Sequence, residues 1–297
     1  MHEFELLAQQ LPWLYIALLT ILGLLVGSFL NVVIYRLPRM MEQAWDAEHA
    51  AYAAQKENRD LSPASCSSHK RFNLLTPPSC CRQCGHRIRW HENIPVVSYL
   101  FLRGKCASCG SSIGIRYPLV EVVTAALAWL CLSRYGLQWQ ALAWFIFGTS
   151  LICLTLIDWD TTYLPDSITL PLLWMGLLIA SLGWTSISLG SAVWGAALGY
   201  MSLWLIYWSF KLFTGKEGMG FGDFKLYAAL GAWFGTGALI PIILLAAVIG
   251  AIIGILMKLG GQLREGRYVP FGPFLALGAS AVWLFGAQKL MQMVGLS

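Results

Sequence analysis

Charge is what this sequence has least of: Asp, Glu, Lys and Arg together supply 12% of its 297 residues, while apolar types supply 57%. Soluble domains carry about twice that share of charge. With a mean hydropathy of +0.62 the scarcity excludes an ordinary soluble domain and points to a membrane protein. The polar–apolar alternation of a barrel strand is lacking too, so the spanning elements are expected to be helices. No Lys or Arg precedes the first apolar run, where a secretory signal would carry its basic region; Glu3 and Glu5 stand there instead, and no small-residue cleavage site is evident. That run is therefore expected to be a retained helix. Internal repeats, low-complexity tracts and the glycine-rich strand-to-helix fingerprint of a Rossmann cofactor site are missing as well.

What is present is a series of long apolar runs, at about 11–35, 118–134, 139–157, 167–184, 190–212, 224–236, 237–257 and 270–288. About 20 apolar residues cross a bilayer core. The expected fold is thus an all-α polytopic membrane protein with about eight transmembrane helices, although 224–257 can also be parsed as one broken stretch. Eight crossings place eighteen of the twenty Lys and Arg residues on one side, twelve of them in 36–117, and leave only Arg134 and Lys289 opposite. That asymmetry makes the side cytoplasmic. It also accounts for the net charge of +5 without a nucleic-acid partner. The domain expectation is a first transmembrane helix (1–36), a cytoplasmic segment (37–117) and a seven-helix membrane core (118–297). Within the segment, Met40 to Arg59 suggests one amphipathic helix that ends at a loop, Ser62-Pro63-Ala64-Ser65.

The rest of that segment, 80–116, is rich in Cys, Gly and Arg and reads as a small module needing a metal. Cys81-Arg-Gln-Cys84-Gly is followed by Cys106-Ala-Ser-Cys109-Gly, with 21 residues between the pairs. Two-residue spacing lets both thiolates of a pair approach one tetrahedral ion, and the glycine after each second Cys can take the positive φ of a knuckle turn. A reducing compartment favours Zn2+ on Cys81, Cys84, Cys106 and Cys109 over disulfides. Cys80 offers a competing register with Cys84. Cys66 has no partner at useful spacing, and Cys131 and Cys153 lie in apolar runs as small core residues.

Acidic residues at the ends of apolar runs are costly and become functional candidates. They occur in two places on the same expected membrane face: Asp158, Asp160 and Asp166 between two runs, and Asp223 in Gly218-Met-Gly220-Phe-Gly222-Asp223-Phe-Lys225. Peptide hydrolysis by carboxylates needs two that share a proton, one as base on a water and the other as acid toward the carbonyl oxygen. Gly220 and Gly222 would remove bulk where an extended substrate backbone nears Asp223. Capping the next helix is the simplest role for Asp166, Asp160 reads as a solvated loop residue, and Asp158 is the deepest of the three; ordinary interfacial placement is the alternative for all of them. Paired carboxylates also serve proton- or ion-coupled transporters, but the position at one face and the lack of an inverted repeat weigh against transport.

Across nearly its whole length the chain resembles the type IV prepilin peptidases, bifunctional leader peptidase and N-methyltransferase enzymes of the Gly-x-Gly-Asp group of intramembrane aspartyl proteases. The stretches that carry the resemblance are Gly27 to Pro38, the two cysteine knuckles, Glu92 to Tyr99, Arg116 to Glu121, the Asp158 segment, Gly218 to Lys225, and Pro270-Phe271-Gly272-Pro273. A presenilin-like protease, by contrast, would not carry the cysteine module. The resemblance implies Asp158 and Asp223 as the catalytic pair and the four cysteines as zinc ligands. It implies prepilins or pseudopilins of a bacterial inner membrane as substrates, a basic leader cut after glycine, and methylation of the new amino terminus with S-adenosylmethionine. Leader cleavage without methylation is the alternative. Arg103-Gly104-Lys105 matches a family stretch linked with methylation, so Gly104 is the candidate cofactor contact, with a plain turn glycine as the other reading. Glu121 is either a substrate or donor contact or an interfacial residue. Cys80 beside Cys81 and a longer polar stretch at 42–79 depart from the usual pattern.

Overall fold

The computed structural model describes residues 12–56, 72–216, 218–260, 269–293 and 295. The expected loop at 62–65 and Cys66 lie outside the described residues. Among the described residues all regular structure is helical, with two isolated antiparallel bridges, Cys80 to Arg87 and Lys105 to Ser112. The chain divides into two compact units, Met1–Leu137 and Gln138–Ser297.

In the first unit α1 (Pro12–Lys56) is followed by a 3-10 turn (Trp90–Asn93), the short α2 (Val97–Phe101) and α3 (Arg116–Tyr135). α1 is a single helix of 45 residues with Pro38 inside it. The separate amphipathic helix expected from Met40 is thus the continuation of the first apolar helix, because Ala, Met, Glu and Gln dominate 40–56 and no glycine interrupts them. α1 and α3 meet backbone to backbone at Gly23 and Gly27: a Cβ built on either would stand 2.6 Å from the Cα of Ala125 or of Glu121. A small residue at every fourth position is the usual way for membrane helices to gain close packing without a hydrophobic drive. Asn31 Nδ2 donates to the Tyr117 carbonyl at 3.0 Å. Below it Arg36 is buried and donates to the carbonyls of Asn73 and Pro77 at 2.9 and 2.6 Å, tying the polar segment to α1.

The second unit holds α4 (Trp139–Thr161), α5 (Asp166–Ser181), α6 (Leu189–Thr214), α7 (Phe221–Phe234), a 3-10 turn (Thr236–Ala238), α8 (Leu239–Leu259), α9 (Gly272–Phe285) and α10 (Ala287–Met293). α7 is its axis, with every residue from Asp223 to Trp233 except Lys225 buried. Gly195 of α6 and Gly231 of α7 face each other so closely that neither has room for a side chain. On the α5 side Trp233 Nε1 donates to the Leu172 carbonyl at 2.8 Å, and Tyr227 donates to the Leu239 carbonyl at 2.6 Å, so both buried polar groups are satisfied. Trp144 and Phe147 of α4 pack against Trp233, their ring centroids 5.1 and 4.5 Å away.

Among the described residues the eight apolar runs are helical, the last of them divided between α9 and α10. Among the described residues five helical stretches are long and apolar enough to cross a bilayer: α1 from Ile16, α3, α4, α6 and Thr236–Leu259. α9 and α10 make a sixth candidate, bent by 105°. α5 and α7 have 16 and 14 residues, or about 24 and 21 Å of rise. Both fall short of a hydrocarbon core of about 30 Å.

Candidate active site

α4 ends through Thr162, a left-handed residue at φ 56° whose N–H donates to the Asp158 carbonyl at 2.7 Å. The next turn, Thr162 to Pro165, leads directly into α5. α7 starts after Gly220, and Asp223 stands in its first turn, where the helix dipole favours an acidic side chain. Both aspartates are buried, Asp158 with 4% and Asp223 with 7% of its surface exposed. They come from segments 65 residues apart in sequence, and they are brought to one place through Leu164, which lies against Gly222 beside Asp223 and against Gly272 beside Asp158.

The two carboxyl groups have different surroundings. Asp158 Oδ2 accepts a hydrogen bond from the Gly272 N–H at 3.0 Å, whereas Asp223 Oδ1 is buried with no hydrogen-bond partner. A Cβ on Gly272 would sit 2.5 Å from that Asp158 oxygen. Leu164, itself buried, fills the space between the two elements. A Cβ on Gly222 would meet the Leu164 Cβ at 2.8 Å, and one on Gly272 would meet its Cδ1 at 3.3 Å. Gly222 therefore makes room for Leu164, not only for a substrate; the open position is Gly220, where a Cβ would find nothing nearer than the Asp223 carboxylate at 4.0 Å.

Asp160 is exposed in the last turn of α4 instead of lying in a loop. Asp166 does not cap α5. Pro165 takes the capping position, and the Asp166 carboxylate, on the first helical residue, receives the Lys225 ammonium at 2.6 and 2.7 Å. Gly272, Leu164 and the Lys225–Asp166 pair escaped the reading of the sequence as site residues. Pro-Phe-Gly-Pro was one of the quoted stretches, but nothing local shows that its glycine amide reaches Asp158.

In the first unit Cys81, Cys84, Cys106 and Cys109 bring their Sγ atoms within 4.8 Å of one another. The two knuckles repeat one pattern. Cys81 N–H donates to the His86 carbonyl and Gly85 N–H to the Cys81 carbonyl, just as Cys106 pairs with Ser111 and Gly110 with Cys106. Gly85 and Gly110 take φ values of 71° and 68°, which L side chains rarely adopt. Cys81 to Cys109 and Cys84 to Cys106 span 3.9 and 4.0 Å. Ligands about 2.3 Å from a tetrahedral zinc stand about 3.8 Å apart, so the donor set fits that ion. Cys80 is exposed and stands outside the cluster. The backbone N–H groups of Cys84 and Gln83, with the Ser111 hydroxyl, lower Cys81 to about 6. For Cys84 the His86 amide favours the thiolate, but desolvation and the three neighbouring sulfurs outweigh it and push the group up to about 11. A shared cation would hold all four ligands as thiolates.

Gly104 has φ 68°; its N–H donates to the Tyr99 carbonyl and its carbonyl accepts from Ile113 N–H, so it shapes the turn into the second knuckle. Glu121 is buried at the start of α3 and accepts the Val96 N–H at 2.8 Å.

The fold and this site define a multi-pass helical membrane protein with a buried carboxylate pair and a four-cysteine module. The chain belongs to the type IV leader peptidase family. The model described as "Type IV leader peptidase family" matches residues 145–255, and that of the "Bacterial Peptidase A24 N-terminal domain" matches 21–135. Among similar proteins, one from Aeromonas salmonicida is 47% identical over 280 residues, 94% of each chain, and one from Pseudomonas putida is 48% identical over 288 residues, 96% of each. One from Pseudomonas aeruginosa is 48% identical over 277 residues, 93% of this chain and 92% of its own. Each of the three is named a prepilin leader peptidase/N-methyltransferase. No solved structure matches the chain.

Proposed function

We propose that this chain removes the leader peptide from prepilins and pseudopilins and methylates the amino terminus that cleavage exposes. Its relatives support both activities by name and over nearly full length. The observation that carries the proteolytic half is the meeting of Asp158 and Asp223, two buried carboxyl groups of which one retains an unpartnered oxygen. A carboxylate pair hydrolyses a peptide without a covalent intermediate. One carboxylate takes a proton from a water as its oxygen attacks the scissile carbonyl carbon. The other gives its proton to the carbonyl oxygen, and on collapse the leaving nitrogen is protonated. With Oδ2 of Asp158 engaged by Gly272, we assign the water to Asp158 and the shared proton to Asp223.

For methyl transfer the donor is S-adenosylmethionine, which supplies an electrophilic methyl group to the new amine. The candidate contact is the Arg103-Gly104-Lys105 turn. Gly104 presents two exposed cationic side chains there, suited to a carboxylate such as the donor carries. The four cysteines hold structural zinc, one ion per chain. All eight apolar runs are taken as crossings of a bacterial inner membrane, with the dyad and the 37–117 segment toward the cytoplasm, a reading that the distribution of Lys and Arg supports. Residues 1–36 and 118–297 then supply the membrane part, the latter its seven-helix core.

Incubating the detergent-solubilised protein with a prepilin and isotopically labelled S-adenosylmethionine, followed by mass measurement of the pilin amino terminus, tests both halves. Loss of the leader with gain of a labelled methyl is expected. Loss of the leader alone would reduce the function to a peptidase, and an intact prepilin would refute it.

A further inference from the structure

The ion pair between Lys225 and Asp166 stands at the junction of the two elements that carry the dyad. Lys225 follows Asp223 by two residues on α7. Asp166 is the first residue of α5, at the far end of the turn that leaves Asp158. Nζ reaches both carboxylate oxygens, Oδ1 at 2.7 Å and Oδ2 at 2.6 Å, a forked contact of charge-assisted strength. The side chains keep 31% and 46% of their surface exposed, so solvent screens the pair and it adds little to global stability. Its placement is more informative than its strength. Two residues before Asp166 the chain contributes Leu164, which is wedged against Gly222, the residue before Asp223, and against Gly272, whose amide holds Asp158.

We propose that Lys225 and Asp166 are positioning residues: together they clasp the Thr162–Pro165 turn onto α7, seat Leu164 between Gly222 and Gly272, and so fix the spacing of the two catalytic carboxyl groups. This inference rests on Asp158 and Asp223 being the catalytic pair. Neither Lys225 nor Asp166 touches the reacting peptide. They act by holding the second carboxylate where the first can share its proton, a geometry in which a displacement of about 1 Å costs on the order of 100-fold in rate.

The test compares purified full-length Asp166→Asn, Lys225→Met, Lys225→Arg and the exchanged pair Asp166→Lys/Lys225→Asp, by kcat and KM for prepilin cleavage and by thermal unfolding in detergent. Removing either charge is expected to lower kcat by about 10- to 100-fold while KM stays within about twofold. Melting should move little. Lys225→Arg should keep most of the rate, and the exchanged pair should recover at least about tenfold over the poorer single variant. Wild-type kcat in folded single variants, a loss confined to KM, or an exchanged pair no better than the singles would overturn the clasp. Should Lys225→Met not fold, Asp166→Asn becomes the deciding single variant. Asp158→Asn and Asp223→Asn are run alongside: if either cleaves normally the dyad itself is wrong, whereas inert Asn variants beside fully active clasp variants reject the clasp alone.

Discussion

Asp158, Asp160 and Asp166 are alike in composition and unlike in surroundings, and part of that difference can be read along the helix. Leu151, Leu154 and Asp158 fall at positions i, i+3 and i+7, one face of α4, and all three are buried; Asp160 turns about 200° from Asp158 and is exposed. Helical periodicity therefore separates Asp158 from Asp160 without a structure. It does not reach Gly272, because the hydrogen bond that orients Asp158 joins residues 114 apart. Gly272→Ala should be far more damaging than its size suggests, since the new methyl would press on the Asp158 carboxylate. Leader cleavage is expected to fall by about 100-fold or more, with the protein still folded by size-exclusion profile and circular dichroism. An active Gly272→Ala enzyme would remove this amide from the account.

At the scale of elements, the apolar runs are helical among the described residues, and five helical stretches, with α9 and α10 as a sixth candidate, are long and apolar enough to cross a bilayer. α7 is bounded by Gly220 and Gly235; its apolar residues face protein, and hydropathy cannot distinguish that from lipid. Its packing depends on the facing glycines 195 and 231, so Gly231→Val forces a side chain into backbone. Overpacking of this kind costs about 1–3 kcal/mol or more, and a fall in melting temperature in detergent is the measurement. The cysteine knuckles were the most legible element, because local spacing marks the two pairs, while the choice of Cys81 over Cys80 needed the structure. One zinc per chain by metal analysis, lost in Cys84→Ser together with faster hydrogen exchange across 80–116, is the expected result; a wild-type protein without metal would contradict the zinc assignment. The long α1 was less legible, because a separate amphipathic helix was expected from Met40 where the first helix continues.

For the whole molecule, the scarcity of charge pointed to the membrane class, and the lopsided distribution of Lys and Arg supports the proposed orientation with the dyad toward the cytoplasm. What no linear pattern could supply is the meeting of the α4 end with the α7 start around Leu164, which requires α4, α5, α7 and α9 to pack in one arrangement. The central claim, that Asp158 and Asp223 together cut the leader, is tested most directly by assaying purified Asp158→Asn and Asp223→Asn proteins on a prepilin at enzyme excess. Each variant should leave the prepilin whole while remaining folded. Ordinary cleavage by either would contradict the account.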